Sequence, residues 1–88
     1  MKQVISIFGL GYVGCVSAAC LARSGQQVIG VDINPEKVRL INDLGKSPIV
    51  EPGLEELIGE TTSNGSLRAT TSCREAVEQS DIAFICVG

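Results

Sequence analysis

The stretch FGLGYVG, residues 8–14, decides the fold of this chain. Its glycines, Gly9, Gly11 and Gly14, fit the spacing G-x-G-x-x-G, which is a weak pattern by itself and gains meaning only from its surroundings. The run QVISIF at residues 3–8 is apolar and β-branched, which predicts a strand buried on both faces of a parallel sheet. Small residues follow the glycines and predict a helix that packs closely on that sheet. The glycines therefore lie in a predicted strand-to-helix turn.

A second predicted strand, QVIGVD at residues 27–32, follows that helix and ends in an acid, Asp32. Asp32 comes 18 positions after Gly14 (32 − 14), near the spacing of about 20 found in dinucleotide-binding units. In such units the first glycine allows a tight turn, the second lets a pyrophosphate approach the backbone, and the third lets helix and strand pack closely. The free N–H groups around Tyr12 and Val13 would then face the phosphates.

The acid at the end of the second strand predicts which dinucleotide binds. Asp32 would accept hydrogen bonds from the adenosine ribose hydroxyls, and its charge would repel a 2′-phosphate that no following arginine relieves, so NAD is favoured over NADP. Lys37, one turn into the next helix, has a weaker claim: it could reach toward the adenosine, but a lone lysine there is more often a solvated surface residue. Structural glycines beside a surface aspartate remain the alternative interpretation of the whole pattern.

The rest of the chain continues the alternation of helices and strands. Asn34, Pro35 and Glu36 predict a helix start, and Gly45 its end. Further on we expect a loop at residues 46–53, a short helix from Leu54, a strand at residues 67–71, a helix opened by a Ser72–Glu75 capping box, and an apolar strand at residues 81–88.

This order of elements predicts the fold class. Strands that alternate with helices pair in parallel, so we expect an α/β, Rossmann-type doubly wound parallel sheet, here partial, with four strands in the order 3-2-1-4. We predict that residues 1–88 form one unit, the N-terminal part of a dinucleotide-binding domain, with the substrate and catalytic domains absent from this chain. The apolar fourth strand would leave an edge that a fifth strand normally covers and that invites association, so we expect this chain to be a fragment of a longer enzyme. We also expect a homo-oligomer.

Composition excludes several kinds of function. The chain has 88 residues, 44% hydrophobic and 19% charged, which favours a folded core, and a net charge of −3, which disfavours a nucleic-acid partner. It contains no histidine, so the commonest metal ligand and general base is missing, and we expect no metal site and no catalytic residue here. Its four cysteines show no C-x-x-C spacing and are predicted to be buried, reduced thiols.

The N-terminus resembles a signal peptide only loosely. Lys2 precedes an apolar run at residues 4–13, but cleavage after it would remove a strand and a helix that the second strand requires. No apolar run reaches 18 residues, so we expect no membrane span and a cytoplasmic location.

Three longer stretches carry a family resemblance. The segments ISIFGLGYVGCVSAACLARSGQQVIGVDINPEKVRLIN, GKSPIVEPGLEELI and SDIAFICVG together resemble the N-terminal NAD-binding domain of the UDP-glucose/GDP-mannose dehydrogenase family. The segment GKSPIVEPGLE is more similar to the GDP-mannose branch of that family than to the UDP-glucose branch, which often has an aromatic residue in place of Val50.

The resemblance implies a function for the complete protein. The family oxidises the C6 alcohol of a nucleotide sugar to a carboxylate, in polysaccharide biosynthesis, with two NAD molecules and a cysteine located in the C-terminal part of such enzymes. It implies GDP-mannose as the favoured substrate and UDP-glucose as the next. The positions that it carries over for NAD binding are Gly9, Gly11, Tyr12, Val13, Gly14, Asp32 and Lys37.

Two other functions remain open at this point. The same fold serves NAD-sensing regulatory domains without catalysis, and it serves other two-domain NAD-dependent dehydrogenases such as hydroxyacid or 6-phosphogluconate enzymes. The proline-rich loop at residues 46–53 and the helix after it argue against the second of these.

Overall fold

The computed structural model describes residues 3–86 and contains eight helices and strands in the predicted order. They are β1 (Val4–Phe8), α1 (Tyr12–Arg23), β2 (Gln27–Val31), α2 (Pro35–Leu44), α3 (Leu54–Ser63), β3 (Leu67–Thr70), α4 (Cys73–Gln79) and β4 (Ile82–Ile85). The strands are slightly shorter than predicted, and the last two residues predicted for β4, 87 and 88, lie outside the described residues.

The four strands form one parallel sheet in the order β3-β2-β1-β4, which confirms the predicted fold class. The β1–β2 register runs from Val4 opposite Gln27 to Phe8 opposite Val31. The residues that follow these two strands, Gly9 and Asp32, therefore come side by side at the carboxyl edge of the sheet. Because β1 has β2 on one side and β4 on the other, this edge is also where the strand order reverses, the usual place for a ligand in such sheets.

Helices cover both faces of the sheet. On one face α1, α2 and α3 pack over side chains such as Ile5, Ile7 and Val28, and the buried residues of α1 are small. On the other face α4 places Ala76 against Ile29. Aliphatic side chains thus form both halves of the core, and the small residues of α1 let its first turn lie close to the end of β1.

The helix α4 begins with only half of the predicted capping box. The Ser72 hydroxyl accepts a hydrogen bond from the backbone N–H of Glu75 at 3.1 Å, as predicted. The Glu75 carboxylate does not return the bond, because it pairs with Arg68 of β3 at 2.7 Å. The backbone N–H of Ser72 instead donates to the Thr70 hydroxyl at 3.0 Å. A tertiary ion pair has replaced a local hydrogen bond.

The prediction of four buried thiols is right for one of them. All four cysteines are free, and Cys15 is buried, but Cys20 and Cys73 are exposed and Cys86 is half-buried. Cys20 lies on the outer side of α1, and Cys73 is the first residue of α4. Apolar character alone therefore did not indicate which thiols face the core.

The two edges of the sheet differ. At the outer side of β3 the amide of Asn42 donates to the carbonyl of Ala69 at 2.7 Å and accepts from the N–H of Ala69 at 2.8 Å. At the opposite edge the four residues of β4 are exposed, among them Phe84 at 48% and Ile85 at 77%.

None of the helices between residues 3 and 86 is long and apolar enough to cross a membrane.

Candidate functional site

The turn at residues 9–14 is held against the ends of three strands. Gly9 has φ +99°, a conformation that favours glycine, and its N–H donates to the carbonyl of Val31 at 2.8 Å. The N–H of Cys86, just after β4, donates to the carbonyl of Phe8 at 2.8 Å. A Cβ atom on Gly9 would overlap the carbonyl oxygen of Cys86. The turn is therefore fixed to β2 and β4 by backbone contacts that leave no room for a side chain at Gly9.

The third glycine brings the helix onto the turn. A Cβ atom on Gly14 would overlap the carbonyl oxygen of Gly9, and the nearest side-chain atom would be Cγ2 of Ile7 at 3.6 Å. Gly14 is buried. This contact places the first turn of α1 directly over the end of β1, as the sequence pattern predicts.

Within residues 3–86, no side chain caps the N-terminus of α1. Gly11 occupies the cap position without a side-chain hydrogen bond, and the first turn contains no acid. The caps of α2 and α4, in contrast, are Asn34 and Ser72, each with an acid in the following turn. The first N–H groups of a helix lack intrahelical partners, and they carry the positive end of the helix dipole. The start of α1, with Tyr12 and Val13 both more than half exposed, is therefore suited to an anion.

Asp32 joins the turn to the start of α2. Its Oδ2 accepts from the N–H of Leu10 at 2.9 Å, and its Oδ1 accepts from the N–H of Asn34 at 2.9 Å. The side chain is only 12% exposed, and the Nζ of Lys37 lies 3.8 Å from Oδ2. A carboxylate has about four lone-pair sites, so these contacts leave acceptor capacity for a ligand. Asp32 thus stabilises the turn by accepting the N–H of Leu10, a role that its spacing did not predict.

The charge of Asp32 is held by its surroundings. Burial alone would raise the pKa of this carboxyl group, but the N–H groups of Asn34 and Leu10 and the Lys37 ammonium together hold its pKa below the ordinary value of 3.8. The carboxylate is therefore charged at neutral pH.

Lowering the pH should reduce the free energy of unfolding measurably, because Asp32 becomes protonated. Because the pKa is lower in the folded state, the ionised carboxylate contributes stability above the unfolded pKa, and this contribution is lost as pH falls through the folded pKa. We expect the difference in the free energy of unfolding between the native sequence and Asp32→Asn to be constant above about pH 5 and to shrink below about pH 4. Urea titrations at several pH values measure this, and a difference independent of pH would contradict it.

Lys37 contacts the turn directly. Its Nζ donates to the carbonyl of Leu10 at 3.3 Å, in addition to its contact with Asp32, and the side chain is 31% exposed. Lys37 is therefore held at the turn by two contacts and is not a freely solvated surface lysine. Leu10, which the sequence pattern left unassigned, connects both charged residues to the turn.

A cavity of about 270 Å³ opens beside Asp32 at the same edge of the sheet. Its walls include Phe8, Val31, Asp32, Ile33, Cys73 and Ile85. Ile33 is 89% exposed, which is unusual for a large apolar side chain next to a half-buried acid. An apolar wall with a carboxylate at one side suits a flat ring joined to a sugar. No local sequence pattern indicated this cavity, because its walls come from three strand ends and the start of α4.

The site is equipped for binding. Within residues 3–86 no group of three or more acidic, histidine or cysteine side chains is placed to hold a metal ion. Burial raises the pKa of the Cys15 thiol to about 11, against a lowering effect of Lys37 and with a smaller rise from Asp32. This cysteine is therefore a thiol at neutral pH and a poor nucleophile.

Comparison with known proteins agrees with this geometry. Residues 3–88 match the family model described as "UDP-glucose/GDP-mannose dehydrogenase family, NAD binding domain". The GDP-mannose 6-dehydrogenase of Pseudomonas syringae pv. syringae is 60% identical over 84 residues, which are 96% of this chain and 19% of that protein. The UDP-glucose 6-dehydrogenase YwqF of Bacillus subtilis is 43% identical over the same share of each chain.

Solved structures give the same result. A ternary complex of GDP-mannose dehydrogenase from Pseudomonas aeruginosa superposes with a TM-score of 0.91 at 58% identity and covers 96% of this chain and 19% of that one. A UDP-glucose dehydrogenase from Pyrobaculum islandicum superposes with a TM-score of 0.93 at 43% identity and covers 100% of this chain and 20% of that one. The chain thus spans about a fifth of the length of the relatives that it matches.

Proposed function

Because this chain belongs to the UDP-glucose/GDP-mannose dehydrogenase family, we propose that it holds NAD for an enzyme that oxidises the C6 alcohol of a nucleotide sugar to a carboxylate. Residues 1–88 are then the N-terminal part of the NAD-binding domain. Bound NAD supplies the hydride acceptor, and two molecules are needed because an alcohol loses four electrons on its way to a carboxylate. No catalytic residue is assigned to this chain.

The observation that carries the proposal is the uncapped start of α1 beside Asp32. The turn residues Gly9, Gly11 and Gly14, with the N–H groups of Tyr12 and Val13, would hold the pyrophosphate. The absence of a cap and of an acid in that first turn supports this role, since both would compete with the phosphates.

The adenosine half is assigned to the neighbouring cavity. Asp32 would accept hydrogen bonds from the ribose hydroxyls, and the exposed face of Ile33 would lie against the adenine. Lys37 would keep Asp32 in place and face the same ribose. NAD is favoured over NADP because a 2′-phosphate would lie beside the Asp32 carboxylate, whose charge persists at neutral pH.

The substrate class follows from the relatives. A GDP-mannose 6-dehydrogenase shares 60% identity with this chain and a UDP-glucose 6-dehydrogenase shares 43%, which supports GDP-mannose first and UDP-glucose second. The sugar nucleotide would bind through residues outside this chain. We further propose a homo-oligomer in the cytoplasm that supplies sugar acids for polysaccharide biosynthesis.

Turnover by the complete protein tests the proposal. We expect NAD reduction with GDP-mannose, two NADH formed per sugar, a slower reaction with UDP-glucose, and a rate with NADP lower by about tenfold or more. Absorbance of the reduced nicotinamide measures all four quantities. NADH binding without turnover of any nucleotide sugar would favour an NAD-sensing regulatory domain, and turnover of a small hydroxyacid would favour a different two-domain dehydrogenase.

A further inference from the structure

Leu10, the residue between the first two glycines, is held at three places. Its side chain is 1% exposed and packs so tightly on Gly30 that a Cβ atom there would lie 2.9 Å from Cδ2 of Leu10. Its N–H donates to Asp32 at 2.9 Å. Its carbonyl accepts from the thiol of Cys15 at 3.3 Å and from the Nζ of Lys37 at 3.3 Å. These contacts of its side chain, N–H and carbonyl fix the main chain of the turn at Leu10.

The direction of the Leu10 carbonyl determines the direction of the next donor. A trans peptide is planar and places its C=O and N–H on opposite sides, and the described residues contain no cis peptide bond. A carbonyl held toward Cys15 and Lys37 therefore turns the N–H of Gly11 the opposite way. The N–H groups of Tyr12 and Val13, which are assigned to the pyrophosphate, follow directly after that of Gly11.

Cys15 is well placed to control this peptide. It is 1% exposed and contacts two successive carbonyls of the turn, since its N–H donates to Gly11 at 2.9 Å and its thiol donates to Leu10. Burial keeps the thiol protonated at neutral pH, so the donor is present under ordinary conditions. Lys37 shares the Leu10 carbonyl but is a third exposed and also pairs with Asp32. Cys15 is the donor that has only the turn as its partner among the described hydrogen bonds.

We propose that Cys15 is a positioning residue for dinucleotide binding: its thiol holds the Leu10 carbonyl and thereby directs the backbone N–H groups of the turn toward the pyrophosphate. The proposal rests on the proposed function and deepens it, because Cys15 lies outside the positions of the glycine pattern and is 1% exposed.

Ligands with and without a pyrophosphate separate positioning from general stability. The complete protein and its variants Cys15→Ala, Cys15→Ser and Cys20→Ala are titrated with ADP and with adenosine. We expect Cys15→Ala to weaken ADP binding by about two- to fivefold, the size of a weak hydrogen bond, and to leave adenosine binding unchanged. Cys15→Ser keeps a donor and should restore ADP binding. Cys20→Ala removes an exposed thiol from the same helix and should change neither affinity.

The outcomes distinguish the two proposals. If Cys15→Ala loses equal affinity for ADP and adenosine, or loses none for ADP, the positioning role is overturned. The cofactor site still stands in that case, provided that the native protein binds NADH. Failure of the native protein to bind NADH would overturn the cofactor site and the positioning role together.

A second measurement applies if Cys15→Ala does not fold. The infrared S–H stretching band of Cys15, identified by its loss in Cys15→Ser, should lie below that of exposed thiols and shift when NADH binds. A band at the frequency of exposed thiols would overturn the proposal.

Discussion

Replacing Gly14 with alanine is expected to abolish measurable NADH binding and to destabilise the domain. The new Cβ atom would overlap the carbonyl oxygen of Gly9, which is backbone and cannot rotate away as a side chain can. Either α1 or the turn must then move, and the N–H groups at the helix start move with it. Losing two charge-assisted hydrogen bonds at about 1.5–3 kcal/mol each weakens binding by about 100-fold or more. Overpacking of this kind costs about 1–3 kcal/mol in the free energy of unfolding.

Gly59→Ala is the matched control for this substitution. Gly59 also lies inside a helix, α3, but its Cβ atom would meet its nearest neighbour, the carbonyl of Gly45, at 3.3 Å. Alanine is favoured over glycine in a helix by about 0.5–1 kcal/mol, which offsets the tight contact. We expect unchanged NADH affinity and a small change in stability. Fluorescence titration with NADH and urea unfolding measure both, and similar behaviour of the two variants would contradict the close-approach role of Gly14.

Removing the Asp32 carboxylate should have the second largest effect. In Asp32→Ala the ribose loses its acceptor, and the N–H groups of Leu10 and Asn34 lose theirs, so the ligand contact and the support of the turn disappear together. Hydrogen bonds to a charged group are worth about 1.5–3 kcal/mol each, so we expect NADH binding to weaken by about 30-fold or more. The preference for NADH over NADPH should narrow as well, because the repulsive charge is gone and Lys37 loses its partner.

Asp43→Ala provides the comparison for Asp32→Ala. It removes the same side chain and the same charge from the exposed side of α2. Parallel titrations of both variants with NADH and NADPH separate the loss of a local acceptor from a change in net charge. An Asp32→Ala variant that binds NADH as well as Asp43→Ala does would show that the acid has no part in the site.

The sequence was sufficient for most of the fold because the decisive signals are local. Gly9 and Gly14 mark the ends of a turn that has no room for a Cβ atom at either position. Asn34 caps α2 as predicted. Each apolar run is long enough for one strand only. Once the elements alternate, the strand order follows from the rules of parallel connection, and the structure confirms it.

Contacts between distant residues could not be predicted in the same way. Glu75 was expected to complete a capping box and instead pairs with Arg68, because a strand brings an arginine within reach. Cys73 was expected to be buried and is exposed. The role of Leu10 depends on Asp32 and Lys37, which are 22 and 27 residues away, and no local pattern joins them. The roles toward NAD stay predictions for all seven residues, Gly9, Gly11, Tyr12, Val13, Gly14, Asp32 and Lys37, and the titrations above test those of Gly14 and Asp32.

The amide of Asn42 determines at which edge a further strand can join the sheet. By occupying both the N–H and the carbonyl of Ala69, it does at the outer side of β3 what a neighbouring strand would do, and so discourages another strand from joining there. Beside β4 the described residues offer an exposed edge with apolar side chains. A strand that extends this sheet, whether from the same protein or from another copy, is therefore received on the β4 side, next to the turn and the cavity.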